Sequence, residues 1–283
     1  QRSKCFPEMS IMNNQSLILN NPDGTQTYYN TFGAVSTSPT LLLLHGIGAD
    51  CDMWQPQMHK YSLQGYHVIV PDLFGHGLSS KLSNINLSDW HNQINWLLEY
   101  NKVEKCILIG ASMGGVIAQS FVVAHPQMVE KIIIADSFGE LRTFKEKILG
   151  FSAVIGFNLF KILGKKILSR GMRSTYKATY AALAQDYFSL LSLNVDLHQM
   201  VLARKAINKI DVLDKLKSIT IPALVIVGAD FGRSFIEINR KIADSFPNSE
   251  FVVLEKSIDP SNLVNPVEFD QYVLKFLNFS FPG

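Results

Sequence analysis

Short apolar runs alternate with amphipathic stretches through most of this chain. Leu41-Leu42-Leu43-Leu44, His67-Val68-Ile69-Val70, residues 105–109, residues 131–135, Ala223-Leu224-Val225-Ile226-Val227 and Phe251-Val252-Val253-Leu254 are runs of this kind. They suit strands buried on both faces, as in a parallel sheet covered by helices. Between them, residues 87–100 carry Ile94, Leu97 and Leu98 on one helical face, with Ser88 as the expected N-cap. Helices are also predicted over residues 113–124, 235–245 and 267–277, and Pro126 marks the exit from the first of these. Nearer the start, Ser16-Leu17-Ile18-Leu19 and Thr25-Gln26-Thr27-Tyr28-Tyr29 flank Asn21-Pro22-Asp23-Gly24 and predict a hairpin. From about residue 138 to 215 the pattern is helical without strands. The expected architecture is therefore α/β: a mostly parallel eight-stranded sheet flanked by helices. Its core domain would take residues 10–137 and 216–283, with a helical cap, residues 138–215, inserted after the sixth strand.

Bulk properties narrow the function classes. The chain has 283 residues, 47% of them hydrophobic, which is ample material for a buried core. Net charge is +2 with the basic residues scattered, so no nucleic-acid partner is expected. Cys5, Cys51 and Cys106 show no CxxC spacing, and Cys106 sits in a strand-like run. That usage points to a reducing, cytoplasmic setting. Residues 1–9 lack a long apolar stretch, so no signal peptide is visible, and the first residue is Gln rather than Met. The apolar stretch from residue 148 to 160 is shorter than the roughly 20 residues that span a bilayer. It is expected to roof a pocket or to pack on the core or a second subunit. Lys161, Lys165, Lys166, Arg170 and Arg173 follow it. They read as a solvated helix face, so membrane contact is not expected.

Candidate chemistry sits at the ends of the apolar runs. Gly110-Ala111-Ser112-Met113-Gly114-Gly115 directly follows Cys106-Ile107-Leu108-Ile109. Gly-x-Ser-x-Gly between a strand and a helix is the pattern of a nucleophilic serine on a tight elbow, where small neighbours give room for the turn. His45-Gly46-Ile47-Gly48 follows the 41–44 run. Acyl transfer needs two backbone donors aimed at an oxyanion, and the N–H groups of Ile47 and Met113 are placed to supply them. His45 reads as a structural loop residue.

With Asp72-Leu73-Phe74-Gly75-His76-Gly77-Leu78-Ser79 standing between these two motifs, the chain resembles the α/β-hydrolase superfamily. The similarity is to the branch of small esterases, haloperoxidase-like hydrolases and C–C hydrolases, and it runs from about residue 16 to 278 outside the cap. The resemblance implies a Ser112 nucleophile and no metal or organic cofactor. It implies a triad acid at Asp230, in Val227-Gly228-Ala229-Asp230. It also implies a histidine seven residues before Pro266. That position holds Asp259, preceded by Ile258 rather than Gly, and Val264 stands where the family has Glu.

An ordinary carboxylate, with a pKa near 3.9, is a poor base for a hydroxyl. If Asp230 and Asp259 face each other, one pKa is raised, or Arg233 neutralises one of the pair. Asp259-Pro260-Ser261-Asn262 itself reads as an Asx-type turn. His76, on the same sheet edge as Ser112, and His198, in the cap, are the candidate substitute bases. Two functions stay open. One is a serine esterase or hydrolase of small hydrophobic ester or acyl substrates with an atypical or incomplete triad. The other is a non-catalytic ligand-binding or regulatory protein on the same fold. Proton-transfer chemistry by an Asp pair, without an acyl-enzyme, is a third and weaker route.

Overall fold

A computed structural model describes residues 15–33 and 38–278. Cys5, the start of the chain, and the outer ends of the expected core span lie outside the described residues. The sheet has eight strands in the order β1-β2-β4-β3-β5-β6-β7-β8. Strands β1 (Gln15–Asn20) and β2 (Gln26–Phe32) form the antiparallel hairpin, closed by Gly24 at φ 84° and by Asp23 accepting the Thr25 amide at 2.9 Å. Next come β3 (Thr40–Leu44), α1 (Gln55–Leu63), β4 (His67–Pro71), α2 (Leu87–Tyr100), β5 (Cys106–Ala111), α3 (Met113–Ala124) and β6 (Val129–Ala135). Between β6 and β7 come α4 (Phe144–Leu163), α5 (Lys165–Thr175), α6 (Ala182–Leu191), α7 (Leu197–Ile207) and α8 (Leu213–Leu216). The chain then returns to the sheet through β7 (Ala223–Gly228), α9 (Arg233–Asp244), β8 (Ser249–Leu254), α10 (Ser261–Val264) and α11 (Pro266–Asn278). Strand β2 pairs antiparallel with β1 and β4, and every other pairing is parallel.

The apolar runs are buried on both faces because each face has its own helical layer. Leu42, Leu44, Ile69 and Leu108 pack with Trp90, Leu97, Val116 and Ile242 from α2, α3 and α9. Their neighbours Leu41, Leu43, Val68 and Ile109 point the other way, onto Trp54, Met58, Phe269 and Val273 beside α1 and α11. Helix α2 is capped differently from the sequence expectation. Its N-cap is Asn86, in extended conformation, with the Asp89 carboxylate reaching back to the Asn86 amide at 2.7 Å. Ser88 lies inside the first turn.

Between β6 and β7 the described chain is helical apart from one isolated bridge, Glu140 with Asp211, which pairs the outgoing and returning segments. Thr143 and Glu146 form a capping box at the start of α4, and Lys241 of α9 binds Glu146 at 2.7 Å. No helix among the described residues is long and apolar enough to cross a membrane. The order in which successive strands are added reverses between β3 and β5, which pair side by side in parallel. In such sheets the crevice beyond the carboxyl ends of these strands is where sites form.

Candidate active site

Ser112 occupies the turn between β5 and α3 with φ 53° and ψ −116°, a left-handed backbone conformation that ordinary residues avoid. Such strain costs about 1–3 kcal/mol and persists only where neighbours hold it. Here they do. The Ser112 amide donates to the Ala135 carbonyl at 2.8 Å, and the Ser137 hydroxyl donates to the Ser112 carbonyl at 2.9 Å. The flanking glycines are required by contact: a Cβ on Gly110 would fall 2.3 Å from the Gly114 carbonyl oxygen, and one on Gly114 would fall 2.1 Å from that of Leu44.

The turn after β3 lies against the serine. A Cβ on Gly46 would stand 3.3 Å from Ser112 Cβ, and Ile47 lines the same cavity as Ser112. His45 is fully buried and holds this turn in place. Its Nδ1–H donates to the Gly46 carbonyl at 2.7 Å, and its Nε2 accepts the Leu73 amide at 2.9 Å. Both ring nitrogens are thus used in a neutral, structural role.

Ser112 Oγ donates to Asp259 Oδ2 at 2.8 Å. The Asp259 side chain therefore serves Ser112 rather than an Asx turn in its own loop. The loop is held from outside. Asp136, at the end of β6, accepts the Gly228 amide at 2.9 Å and the Ser261 amide at 2.6 Å, and the Tyr176 hydroxyl donates to the Asp259 carbonyl at 2.8 Å. Burial, and then the charge of Asp136, push the Asp259 carboxyl well above the usual carboxylate range. The Ser112 hydroxyl and the Arg204 guanidinium pull the other way. Burial also raises Asp136, against the pull of its two backbone donors.

Several expected residues stand elsewhere. Asp230 is exposed in a short 3-10 turn and accepts the Tyr180 hydroxyl, so it does not back Asp259; Asp136 does. Arg233 is 93% exposed and pairs with Glu237, so it neutralises neither aspartate. The cation that faces Asp259 is Arg204 of α7, which lies over the Phe138 ring with Nε and Nη2 enclosed and lacking a partner among the described residues. Burial lowers its pKa to about 10.

His198 is exposed at the start of α7, where its amide binds Asp196. His76 is buried, with its Nδ1 against the Phe74 carbonyl at 3.3 Å. Burial and the neighbouring His45 push it down to about 3. It lines a second cavity of about 310 Å³, which shares Gly48, Val195 and Met200 with the first. No histidine among the described residues hydrogen-bonds Ser112, whose hydroxyl is committed to Asp259. Asp136 and Arg204 were not singled out from sequence. The signal for Asp136 was its place directly after the strand next to β5; Arg204 carried none.

The cavity over Ser112 measures about 140 Å³ and is roofed by Phe157, Leu168, Met172, Tyr176, Phe188 and Met200 from helices α4 to α7 and the turn after α5. Among the described residues no group of three or more His, Cys, Asp or Glu is arranged to hold a metal. Cys51 and Cys106 are both buried.

Comparison with known proteins agrees with this architecture. A family model described as the alpha/beta hydrolase fold matches residues 39–153. The chain is 26% identical over 275 residues to 3-oxoadipate enol-lactonase 1 of Acinetobacter baylyi, covering 93% of this chain and 97% of that protein. An esterase from Exiguobacterium antarcticum superposes with a TM-score of 0.82 at 20% identity, over 94% of this chain and 100% of that one. An uncharacterized protein of Mycobacterium tuberculosis is 33% identical over 113 residues, 40% of this chain. The chain thus spans about a third of that relative's length, 33%. The matched segment and the superposition show that the chain has the α/β-hydrolase fold.

Proposed function

We propose that this protein hydrolyses small hydrophobic esters through Ser112, with Asp259 in place of the usual histidine base. The observation that carries this is the Ser112 hydroxyl donating to Asp259 at 2.8 Å from a strained elbow. Ser112 Oγ attacks the ester carbonyl carbon and its proton passes to Asp259. The oxyanion is held by the Ile47 and Met113 amides. When the C–O bond breaks, Asp259 returns the proton to the leaving alcohol. Water then attacks the acyl-enzyme, gives its proton to Asp259, and releases the acid as Ser112 regains a proton.

A carboxylate whose pKa is raised by burial and by a second carboxylate is a stronger base near neutral pH than an ordinary Asp. Asp136 supplies the second charge and anchors the loop. An apolar cavity of about 140 Å³ suits a short acyl group. The relatives named an enol-lactonase and an esterase support cleavage of an ester bond as the reaction class.

The test is hydrolysis of p-nitrophenyl acetate and butyrate by the parent, Ser112→Ala, Asp259→Asn and Asp259→His. We expect Ser112→Ala to abolish turnover and Asp259→Asn to cost about 10²–10⁴ in rate. If the parent is inert while Asp259→His gains a Ser112-dependent rate, the site binds ligand without turning it over, and the esterase assignment fails.

A further inference from the structure

Helix α4 presents two opposite faces to two different surroundings. Phe157 lines the Ser112 cavity. On the far side Phe144, Ile148, Phe151, Ile155, Leu159 and Ile162 are all exposed, Phe144 by 79%, Phe151 by 66% and Ile162 by 83%. Their spacing of three and four residues sets them in one row, about 27 Å long at 1.5 Å per residue. Single exposed apolar side chains are ordinary on a protein surface, whereas a continuous row of large ones marks a contact site.

The charge around the row indicates what covers it. From Lys147 to Lys177 the chain has seven Lys and Arg and no Asp or Glu, although its overall net charge is only +2. Lys145 and Lys147 border the row at its start, and Lys161, Lys165, Lys166 and Arg170 continue past its end onto α5; all six are exposed. A second copy of the chain seated on this face would bring two basic rims together. An anionic lipid surface satisfies both features: acyl chains accept the apolar row, and the flexible basic side chains reach the headgroups.

We propose that α4 and α5 dock the cap onto an anionic lipid surface, with the α4 row lying in the boundary between headgroups and acyl chains. The charges that read from the sequence as a solvated face border an exposed apolar row in the structure. Docking requires no catalysis. Taken with the Ser112 assignment, on which this second part rests, it names the substrate class: an ester dissolved in the lipid phase, entering beneath the helix that carries Phe157.

The experiment is vesicle flotation of the full chain with phosphatidylcholine alone and with added phosphatidylglycerol, at low and high salt. The parent floats with the anionic vesicles, and less so in high salt. Reversing Lys161, Lys165 and Lys166 to Glu weakens that binding by more than about a hundredfold. Phe151→Asp with Ile155→Asp abolishes it, with melting curves confirming that both variants fold. Equal binding to both vesicle types, no binding to anionic ones, or binding indifferent to these substitutions would overturn the proposal. So would a dimer in sedimentation equilibrium that Phe151→Asp splits, without vesicle binding. Cleavage of an ester held in the same vesicles by the parent and Ser112→Ala separates the two claims. Binding without Ser112-dependent cleavage sinks the catalytic assignment and leaves docking standing; cleavage of soluble ester without binding does the reverse.

Discussion

The Asp136 carboxylate accepts the backbone amide of Ser261 at 2.6 Å, tying the end of β6 to the loop that carries Asp259. The same carboxylate holds the Gly228 amide at 2.9 Å, so three chain segments meet on one buried charge. Asp136→Asn tests both of its effects. The amide has one acceptor oxygen, and its NH₂ must face one of the two N–H donors. A buried donor left unsatisfied costs about 1–3 kcal/mol, which chemical denaturation will register. Removing the Asp136 charge also removes a cause of the raised Asp259 pKa, so the acid limb of the pH–rate profile moves to lower pH. A loss of stability with an unmoved limb would mean that Asp136 is an anchor only.

Activity and stability run in opposite directions with pH at Asp259. As a base it must be ionised, so turnover rises with pH through its raised pKa. For stability the sign is reversed. The folded state holds the proton more tightly than the unfolded state does, so stability falls as pH climbs from the ordinary carboxylate range through the raised value. Asp259→Asn keeps an acceptor for the Ser112 hydroxyl and removes the titration. It should be more stable than the parent at neutral pH and lose less stability between pH 4 and 8; the slope that remains belongs to the other shifted groups, Asp136, Asp270, His76 and His91 among them. Parallel stability curves for the two proteins would show that Asp259 titrates normally. His76, pushed down to about 3 in the folded protein, adds no limb to the pH–rate profile above about pH 3.

What the sequence made legible was whatever neighbouring residues decide together. The strands are visible because two helical layers leave no polar face on β3, β4 or β5. The elbow is visible because Gly110, Ser112 and Gly114 meet within one turn. The acid is a different kind of problem. Val227-Gly228-Ala229-Asp230 and Ala135-Asp136 both put an aspartate just past a buried strand. The choice between them is made by residues distant in sequence. Tyr180, between α5 and α6, holds Asp230 at the surface, while Asp136, at φ 50°, binds the amides of Gly228 and Ser261. Arg204 was invisible for the same reason. Nothing around it in the chain reveals that α7 faces Asp259 across the site.

Two glycines on helices make a matched pair. Gly114 opens α3 against the end of β3, where an added methyl would meet the Leu44 carbonyl oxygen at 2.1 Å. Backbone cannot yield there as a side-chain tip can, so Gly114→Ala should lower the melting temperature sharply or prevent folding. Gly156 lies inside α4, and a Cβ there meets nothing within 4 Å. Gly156→Ala should stabilise by about 0.5–1 kcal/mol, because alanine loses less backbone freedom on entering a helix. Calorimetry of both variants checks the contrast. If Gly114→Ala melts like the parent, the close approach of α3 to β3 is wrong.

Arg204 separates electrostatic tuning from structural support. Its guanidinium is pressed over Phe138 with Nε and Nη2 unpartnered among the described residues, so its burial contributes little that a methionine of similar length would not. Stability of Arg204→Met should therefore match or exceed that of the parent. Its charge acts on Asp259 by opposing the rise in that carboxyl's pKa. Without it Asp259 holds its proton to higher pH, and the acid limb of kcat/KM shifts upward while the plateau rate at high pH changes little. Arg204→Lys keeps the charge and should leave the limb near its parental position. The shift is thus opposite in sign to that of Asp136→Asn, and pH–rate profiles of the three variants read it directly. A limb that Arg204→Met leaves in place, beside a marked loss of stability, would assign the guanidinium to packing and remove it from the chemistry of Asp259.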